Sequence, residues 1–336
     1  MKTLKTLLIL ISALLLSSCG GVSTKPNITG RAYEVLVVID DSIAKSAVGD
    51  SLFGILNQDV PCLPQSEPYF NISKTPHRAF SDILKPARNI IIVNVGDLYS
   101  RVKLSNEENK WATTQSVMTI NGPDIESVAS AIGKYEKDII NYFVKSERKR
   151  SISYQSHYPE AKAMERVKEK FGFTMVVPKG FNRFKEADDF MWISNSSNDV
   201  RQNLVIYTYP YNCTETFTRE MILHKRDSVM MINIPGPSED SYMGTEYKFE
   251  PPLFYNNALE NGDYAAEVRG LWTVIGDIMG GPFVSVTCLD KEQNRVVTAE
   301  AFIYAPNQYK RNVMRQLESI LYTIKFNKDN KNGQQD

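Results

Sequence analysis

The stretch that best indicates the fold is Phe283-Val284-Ser285-Val286-Thr287-Cys288. Side chains alternate across a β-strand, so its valines and its cysteine would share one apolar face. The same alternation recurs in residues 266–274 and 297–303, and turn-forming residues lie between the three stretches. Three such strands predict an antiparallel meander, whose apolar face a helical stripe over residues 309–324 can cover.

The two halves of the sequence together predict an α+β fold with two domains. Residues 31–150 carry continuous apolar stretches, such as 35–39 and 89–95, that are typical of strands buried on both faces. We therefore expect an N-terminal mixed α/β sheet domain. Residues 160–326 would form a C-terminal antiparallel-sheet domain covered by helices, and residues 327–336 a polar tail.

The boundary between the domains is predicted at residues 151–159. The helix before it has an apolar stripe over residues 125–143 and ends in the basic segment Lys145-Ser146-Glu147-Arg148-Lys149-Arg150. Cations suit the C-terminus of a helix because they oppose its dipole. We interpret this segment as a solvated helix end, with a contact to anionic lipid as the alternative.

The first residues have the pattern of a secretory signal peptide. Lys2 and Lys5 precede an apolar stretch over residues 7–16, which ends in Leu16-Ser17-Ser18-Cys19. A transmembrane anchor, the alternative, needs roughly 20 apolar residues, about twice the number present. The Leu-Ser-Ser-Cys ending resembles a lipobox of bacterial lipoproteins. The resemblance implies that the lipoprotein signal peptide, residues 1–18, is removed and that Cys19 carries fatty acids.

A lipid on Cys19 would be followed by a lipidated tether, residues 19–30. This segment contains Gly, Ser, Thr, Pro and Asn and little that is apolar. Residues 20–30 reach at most about 38 Å when extended, so the folded body would stay beside the membrane. Two or three acyl chains attach a protein stably. We expect a lipid-anchored protein of the cell envelope, at the outer membrane and facing the periplasm.

The charge of the chain gives no reason to expect a nucleic-acid partner. The sequence has 39 basic and 39 acidic side chains, and removal of Lys2 and Lys5 leaves 37 against 39. A hydrophobic content of 42% and an aromatic content of 10% are typical of a folded globular protein.

Cysteine and histidine spacing indicates neither a metal site nor a redox motif. Cys62, Cys213 and Cys288 are far apart, so they form no C-x-x-C motif, although two of them can form a disulfide. Cys288 would lie on an apolar strand face, as an inert thiol. The three histidines form no zinc-binding pair. We therefore expect no metal and no cofactor.

Two pairs of polar residues suggest a catalytic alternative. Asp40 and Asp41 follow a predicted buried strand, where carboxylates commonly cap the next helix, and magnesium binding is the alternative. His224 and Asp227 lie one turn apart on a predicted helix. This spacing fits an oriented general base, but it also fits an exposed, ion-paired helix face.

Aromatic residues cluster beside prolines at two places in the second half. Tyr207, Tyr209 and Tyr211 form one cluster, and Phe254 and Tyr255 belong to the other. Such rings are common on surfaces that bind peptides or glycans, but they also fill cores. We retain the five as candidate partner-binding residues, with the core interpretation favoured.

Glycines at residues 280 and 281 allow two interpretations. Gly280-Gly281-Pro282 could form a backbone nest for an anion. It leads into a strand, however, so the dipole of a helix N-terminus would be missing. We interpret residues 276–282 as a tight hairpin turn instead.

Several short motifs, taken in order, resemble a known family. They are residues 60–70, 88–93 and 207–211, Arg226-Asp227, Ile234-Pro235-Gly236, Met279-Gly280-Gly281-Pro282-Phe283, Tyr304-Ala305-Pro306 and Lys310-Arg311. The family is one of full-length bacterial lipoproteins classed only as a domain of unknown function. The resemblance implies a cell-envelope location and brings no activity. In its order of strands and helices, the second half also resembles the α/β/α sandwich of the photosystem-II-P and Mog1 type.

The leading hypothesis is a non-enzymatic, membrane-tethered lipoprotein that binds a protein or glycan partner in the envelope. The rival is an envelope hydrolase or metal-dependent enzyme that uses Asp40, Asp41, His224 and Asp227, which would have to converge in one cleft. A purely structural envelope component differs from the leading hypothesis only by lacking a binding groove.

Overall fold

The computed structural model describes residues 25–197 and 199–326. Cys19, the predicted signal peptide and the predicted tail lie outside the described residues. The first domain contains, in chain order, β1 (Glu34–Val38), α1 (Asp41–Ala44), α2 (Ala47–Leu56), β2 (Asn71–Thr75), a 3₁₀ turn (His77–Ala79), β3 (Asn89–Val95), β4 (Lys103–Glu108), β5 (Ser116–Gly122), α3 (Ile125–Lys134) and α4 (Glu136–His157).

The first sheet is mixed, as predicted. Its strand order is β2-β1-β3-β5-β4, and every neighbouring pair is parallel except β4 with β5. Helices α2, α3 and α4 cover one face through side chains such as Leu52, Val128 and Phe143. Two loops cover the other face, one carrying Phe80 and one carrying Trp111. Because both faces of the sheet are buried, the sequences of β1 and β3 contain continuous apolar stretches.

Helix α4 extends beyond its predicted end. The predicted stripe over residues 125–143 belongs to two helices, α3 and α4, which meet at Tyr135. Helix α4 continues to His157, through most of the predicted boundary at residues 151–159. The prediction of a helix end at residues 145–150 is therefore wrong, because α4 is held from Arg148 to Gln155 by contacts with the second domain, at Glu318 and Gln316.

Part of the predicted tether is bound to the first domain. The backbone N–H of Thr29 donates to the carbonyl of Pro86 at 2.9 Å, and Thr29 accepts from the backbone N–H of Arg88 at 3.1 Å. The backbone N–H of Thr113 donates to the carbonyl of Pro26 at 2.8 Å. The prediction that the whole segment 19–30 is a tether is thus wrong from Pro26 onwards.

The second domain is an antiparallel sheet between helices. Its strand order is β10-β12-β13-β14-β9-β8-β7, with β11 also pairing β12. The elements are α5 (Ala161–Phe171), β6 (Phe173–Thr174), β7 (Phe181–Ala187), β8 (Phe190–Asn195), β9 (Arg201–Pro210), a 3₁₀ turn (Thr214–Phe217), α6 (Arg219–Asn233), β10 (Tyr242–Glu246), β11 (Leu253–Ala258), β12 (Tyr264–Ile275), β13 (Gly280–Asp290), β14 (Arg295–Tyr304), α7 (Arg311–Leu321) and β15 (Lys325–Phe326).

The meander β12-β13-β14 is confirmed, but its apolar residues do not all face the same way. Glu267 of β12 pairs with Val286 of β13, so the alternating apolar sets of these two strands lie on opposite faces. Val268 and Trp272 face α6, whereas Val286 faces α5 and α7. Both faces are therefore covered by helices, and not only the face under residues 309–324.

The glycines at 280 and 281 lie in a strand and not in a turn. Gly280 pairs with Thr273 and Gly281 with Trp272, so the turn is shorter than the predicted 276–282. A Cβ on Gly281 would lie 2.2 Å from the carbonyl oxygen of Ile303. Glycine is therefore required here by the close approach of two strands.

The two domains are joined by polar contacts around α7. The Glu67 carboxylate of the first domain accepts the backbone N–H groups of Lys310 and Arg311, at 2.6 and 2.9 Å. It thereby satisfies free donors at the start of α7. Arg148 of α4 donates to Glu318 of α7 at 3.0 Å. Arg148 is thus not part of a solvated helix end.

Candidate functional site

A surface groove lies beside α6. It has a volume of about 680 Å³ and lies between α6, β10 and the segment 247–252 that follows β10. Most of its wall is apolar, formed by Leu223, Met231, Tyr242, Tyr247, Pro251, Pro252 and Ile275. We call this depression the α6 groove.

Helix α6 presents two neighbouring rows of side chains. It begins after Thr218, whose hydroxyl accepts the backbone N–H of Met221 at 3.4 Å. Ile222, Arg226 and Met230 form one row at a spacing of four and are fully buried against the sheet. The adjacent row, Leu223, Asp227 and Met231, lines the groove.

The inner row is fixed by a buried ion pair. Arg226 donates from Nε and Nη2 to the two carboxylate oxygens of Glu300 on β14, at 2.8 and 2.7 Å. Its guanidinium also lies 3.8 Å from the ring centre of Phe283. Burial raises the pKa of Glu300, and the charge of Arg226 opposes that rise. The pair fixes the position of α6 on the sheet and so shapes the groove.

Asp227 is held by residues of β10 and of the segment that follows it, which lie across the groove from α6. Its Oδ1 accepts the backbone N–H of Thr245 at 2.9 Å and the Thr245 hydroxyl at 2.6 Å, and its Oδ2 accepts the Tyr247 hydroxyl at 2.7 Å. Burial, followed by the bond to Asp227, raises the pKa of Tyr247 to about 12. Asp227 therefore joins α6 to β10.

His224 also lines the groove, but it is not paired with Asp227. Within the described residues, the hydrogen bonds of Asp227 run to Thr245, Tyr247 and Arg226. A general base needs a partner that orients it. The proposed His224–Asp227 pair does not have that geometry.

Several apolar side chains that line the groove are also exposed to solvent. Met231, Tyr247 and Ile275 are each exposed by slightly less than half. Single exposed apolar residues are ordinary, but a contiguous set beside a concave surface marks an interaction site. Methionine suits such surfaces because its flexible side chain adapts to different partners.

Asp40 and Asp41 lie in the other domain, at the end of β1, so the structure does not bring the four predicted catalytic residues into one site. Asp40 occupies the N-cap position of α1 but does not cap it. Its Oδ1 accepts the backbone N–H of His77 at 3.1 Å, and this bond lowers the pKa of Asp40. The predicted helix cap is therefore a link between β1 and the 3₁₀ turn after β2.

The five aromatic candidates do not form one surface. Tyr207 is buried beneath α6, so its assignment to a partner-binding surface is wrong, and the core interpretation holds for it. Tyr209 is half-buried against Tyr207, and Tyr211 packs on Phe217. Phe254 packs partly against the core, whereas Tyr255 is exposed near the contact between the two domains.

Two of the three cysteines within the described residues are buried. Cys62 and Cys288 are buried free thiols and Cys213 is an exposed one. Burial raises the pKa of Cys62 to about 12. Across residues 25–197 and 199–326, no group of three His, Cys, Asp or Glu side chains could hold a metal ion. In the same ranges, no helix is long and apolar enough to cross a membrane.

Both halves of the chain match families without an assigned function. Residues 160–323 match a family model described as domain of unknown function DUF4837, and residues 28–155 match one described as domain of unknown function DUF8532. The two halves of the chain therefore match two separate family models, each described only as a domain of unknown function. No curated protein matches the sequence.

The chain has a distant likeness to solved structures. The Saccharomyces cerevisiae Ran-binding protein Mog1p is 10% identical over 46% of this chain and 91% of that chain, with a TM-score of 0.31. A single-residue mutant of protein Mog1 is also 10% identical, over 46% and 89%, with a TM-score of 0.30. At these scores the likeness carries no argument about function.

Sequence reasoning found His224 and Asp227, and its second aromatic cluster, residues 247–255, contains Tyr247, Pro251 and Pro252 of the groove. It missed the other lining residues. Met231 continues the row of Leu223 and Asp227 at a spacing of four, which is a signal visible in the sequence. Tyr242 and Ile275 gave no such signal, since they reach the groove only through the pairing of β10 with β12.

Proposed function

We propose that this chain is a lipoprotein of the bacterial cell envelope that binds a protein partner in the α6 groove. The observation that carries the binding role is the groove itself, with its apolar wall and its exposed aromatic and methionine side chains. The lipobox-like Leu16-Ser17-Ser18-Cys19 supports a lipid anchor, and with it a location at the outer membrane, facing the periplasm.

A protein partner fits the groove better than a glycan. Glycans are held by hydrogen bonds to polar groups beside aromatic rings, and the Asp227 carboxylate is already bonded to Thr245 and Tyr247. The exposed side chains Met231 and Ile275 of the groove are a thioether and an aliphatic group, which suit apolar side chains of a protein. We therefore place an apolar segment of another protein in the groove.

A short anchor would keep this groove near the membrane. Pro26 is already bound to the first domain through Thr113, so the six residues 20–25 would separate it from a lipidated Cys19. The seven steps from Cys19 to Pro26 reach roughly 25 Å at about 3.5 Å each. The partner would then be a protein that is itself in or close to the envelope membrane.

The anchor is tested by replacing the proposed acceptor. Cys19→Ala should abolish incorporation of a labelled fatty acid and should release the protein from the membrane fraction. Cys213→Ala is the matched control, since Cys213 is an exposed cysteine of the folded body. If Cys19→Ala keeps the label and fractionates like the wild type, the anchor is not at this residue.

The groove is tested by photocrosslinking in intact cells. A photoreactive amino acid at position 231 should give a discrete protein adduct, because Met231 lies in the groove and is half exposed. The control is position 98, since Leu98 is an exposed apolar residue of the first domain. The same adducts from both positions, or none from position 231, would count against a protein partner.

A further inference from the structure

A second, smaller cleft lies where the two domains meet. It has a volume of about 280 Å³ and shares no lining residue with the α6 groove. Helix α4 supplies one wall, and β11, β12 and α7 supply the other. Four cationic side chains line it, namely Lys145, Arg148, Arg269 and Arg315.

Two buried carboxylates meet three of these cations. Glu318 accepts from Arg148 at 3.0 Å, from Arg269 at 2.7 Å and from Arg315 at 3.1 and 3.2 Å. Glu267 accepts from Arg269 at 3.2 Å, and also from Tyr322 and Asn257. Four positive charges thus face two negative ones, which leaves an excess of two positive charges along the cleft.

The arginines retain donors that the carboxylates do not use. Arg148 and Arg269 each donate from Nη2 alone and Arg315 from Nη1 alone, among the contacts of the described residues. Arg315 is only 7% exposed, and its buried Nε has no hydrogen-bond partner among the described residues. A buried donor without an acceptor is costly, and native proteins usually satisfy it.

We infer that this cleft binds a small oxyanion, a carboxylate or phosphate group carried by a small molecule. Guanidinium groups present N–H donors in a planar fork that matches the oxygens of both groups. The excess positive charge and the guanidinium donors that the carboxylates leave unused call for the same kind of ligand. Lys145 is exposed on α4, at the edge of the cleft, where it would contact the outer part of that ligand.

Such a ligand would touch both domains at once. Lys145 and Arg148 belong to the first domain, whereas Arg269 and Arg315 belong to the second. Occupation of the cleft would therefore stabilise the contact between the domains, by an amount that grows with ligand concentration above the Kd. This inference does not depend on the α6 groove or on the lipid anchor.

The test is titration calorimetry of the purified full-length protein with inorganic phosphate and with citrate, against sodium chloride of equal ionic strength. Saturable binding of one probe with a stoichiometry near one supports the site, and the probe that binds identifies the anionic group. Lys145→Gln and Arg315→Lys should each weaken binding about tenfold or more, since each removes or displaces a charged donor.

Lys149→Gln is the matched control. Lys149 lies one turn beyond Lys145 on α4, but it faces Glu108 at 3.4 Å and not the cleft. This variant should bind like the wild type. Lys145 has an exposed side chain, so its variant keeps the test decisive if Arg315→Lys does not fold. Absence of binding beyond the salt control, or equal binding by Lys145→Gln and the wild type, would overturn the inference.

Discussion

Arg226 and Glu300 form a two-bond ion pair with no exposure to solvent at the centre of the second domain. Arg226 comes from α6 and Glu300 from the central strand β14, so the pair attaches the groove helix to the sheet. A third bond, from Arg226 Nη1 to the Thr245 hydroxyl at 2.8 Å, extends this attachment to β10.

Breaking this pair should strongly destabilise the protein. Arg226→Met leaves Glu300 buried without its partner, and we expect a loss of about 3–5 kcal/mol in the free energy of unfolding, measured by urea denaturation. The double variant Arg226→Met/Glu300→Leu should recover much of that loss, because no charge stays buried. Arg219→Ala, at an exposed pair with Glu220, is the control and should change stability by less than about 1 kcal/mol. Equal effects of Arg226→Met and Arg219→Ala would contradict the account.

Glu67 should matter for the contact between the domains. Glu67→Ala removes the carboxylate that accepts the first N–H groups of α7, and we expect a loss of about 2 kcal/mol. Thermal unfolding measures it. Glu107→Ala, which removes an exposed ion pair with Lys110, should cost less than about 1 kcal/mol. If both variants melt alike, the cap does not contribute to stability.

Acid should destabilise the protein through Glu318. Burial alone would raise the pKa of Glu318, but Arg269, Arg315 and Arg148 more than reverse this, so its pKa lies well below the usual range. A carboxyl group with a lowered pKa in the folded state stabilises the protein above its unfolded pKa, about 4.3, and loses that contribution as the pH falls.

The variant Glu318→Gln isolates this contribution. At pH 7 we expect it to be less stable than the wild type by about 3–5 kcal/mol, since three arginines lose their carboxylate. The difference should narrow as the pH falls below about 4.3, because Glu318 then takes up a proton in the unfolded wild type while it is still ionised in the folded state. Denaturant unfolding at several pH values measures both. A difference that is independent of pH would show that the charge of Glu318 is not the cause.

Asp227 and His224 should differ in their effect on stability. Asp227→Ala removes the acceptor of Thr245 and Tyr247, and we expect a loss of about 1–2 kcal/mol. His224→Ala removes an exposed side chain of the same helix and should change stability by less than about 0.5 kcal/mol. Urea denaturation of both variants measures this. Equal losses would mean that Asp227 does not join α6 to β10.

The regular parts of the fold could be predicted from the sequence, because burial imposes a pattern on it. Strand β3, Asn89–Val95, was predicted with its observed ends, since it is buried on both faces. Strand β4, with the sequence KLSNEE, was missed because it lies at the edge of the sheet, largely exposed, and has no apolar alternation.

The polar contacts could not be predicted in the same way. Arg148 was interpreted as part of a solvated helix end because its partner, Glu318, lies 170 residues further along the chain. Asp227 was identified from its spacing to His224, but the role of Asp227 depends on Thr245 and Tyr247, which reach it through the packing of β10 on α6. Such pairings follow from tertiary structure and leave no local pattern.

The central claim, that a protein partner occupies the α6 groove, is tested most directly by an affinity measurement. The partner recovered by crosslinking at position 231 is titrated against the wild type, Ile275→Glu and the control Leu98→Glu. Ile275→Glu places a charge in the apolar wall of the groove and should raise the Kd about tenfold or more, whereas Leu98→Glu should leave it unchanged. An unchanged Kd for Ile275→Glu would contradict the claim.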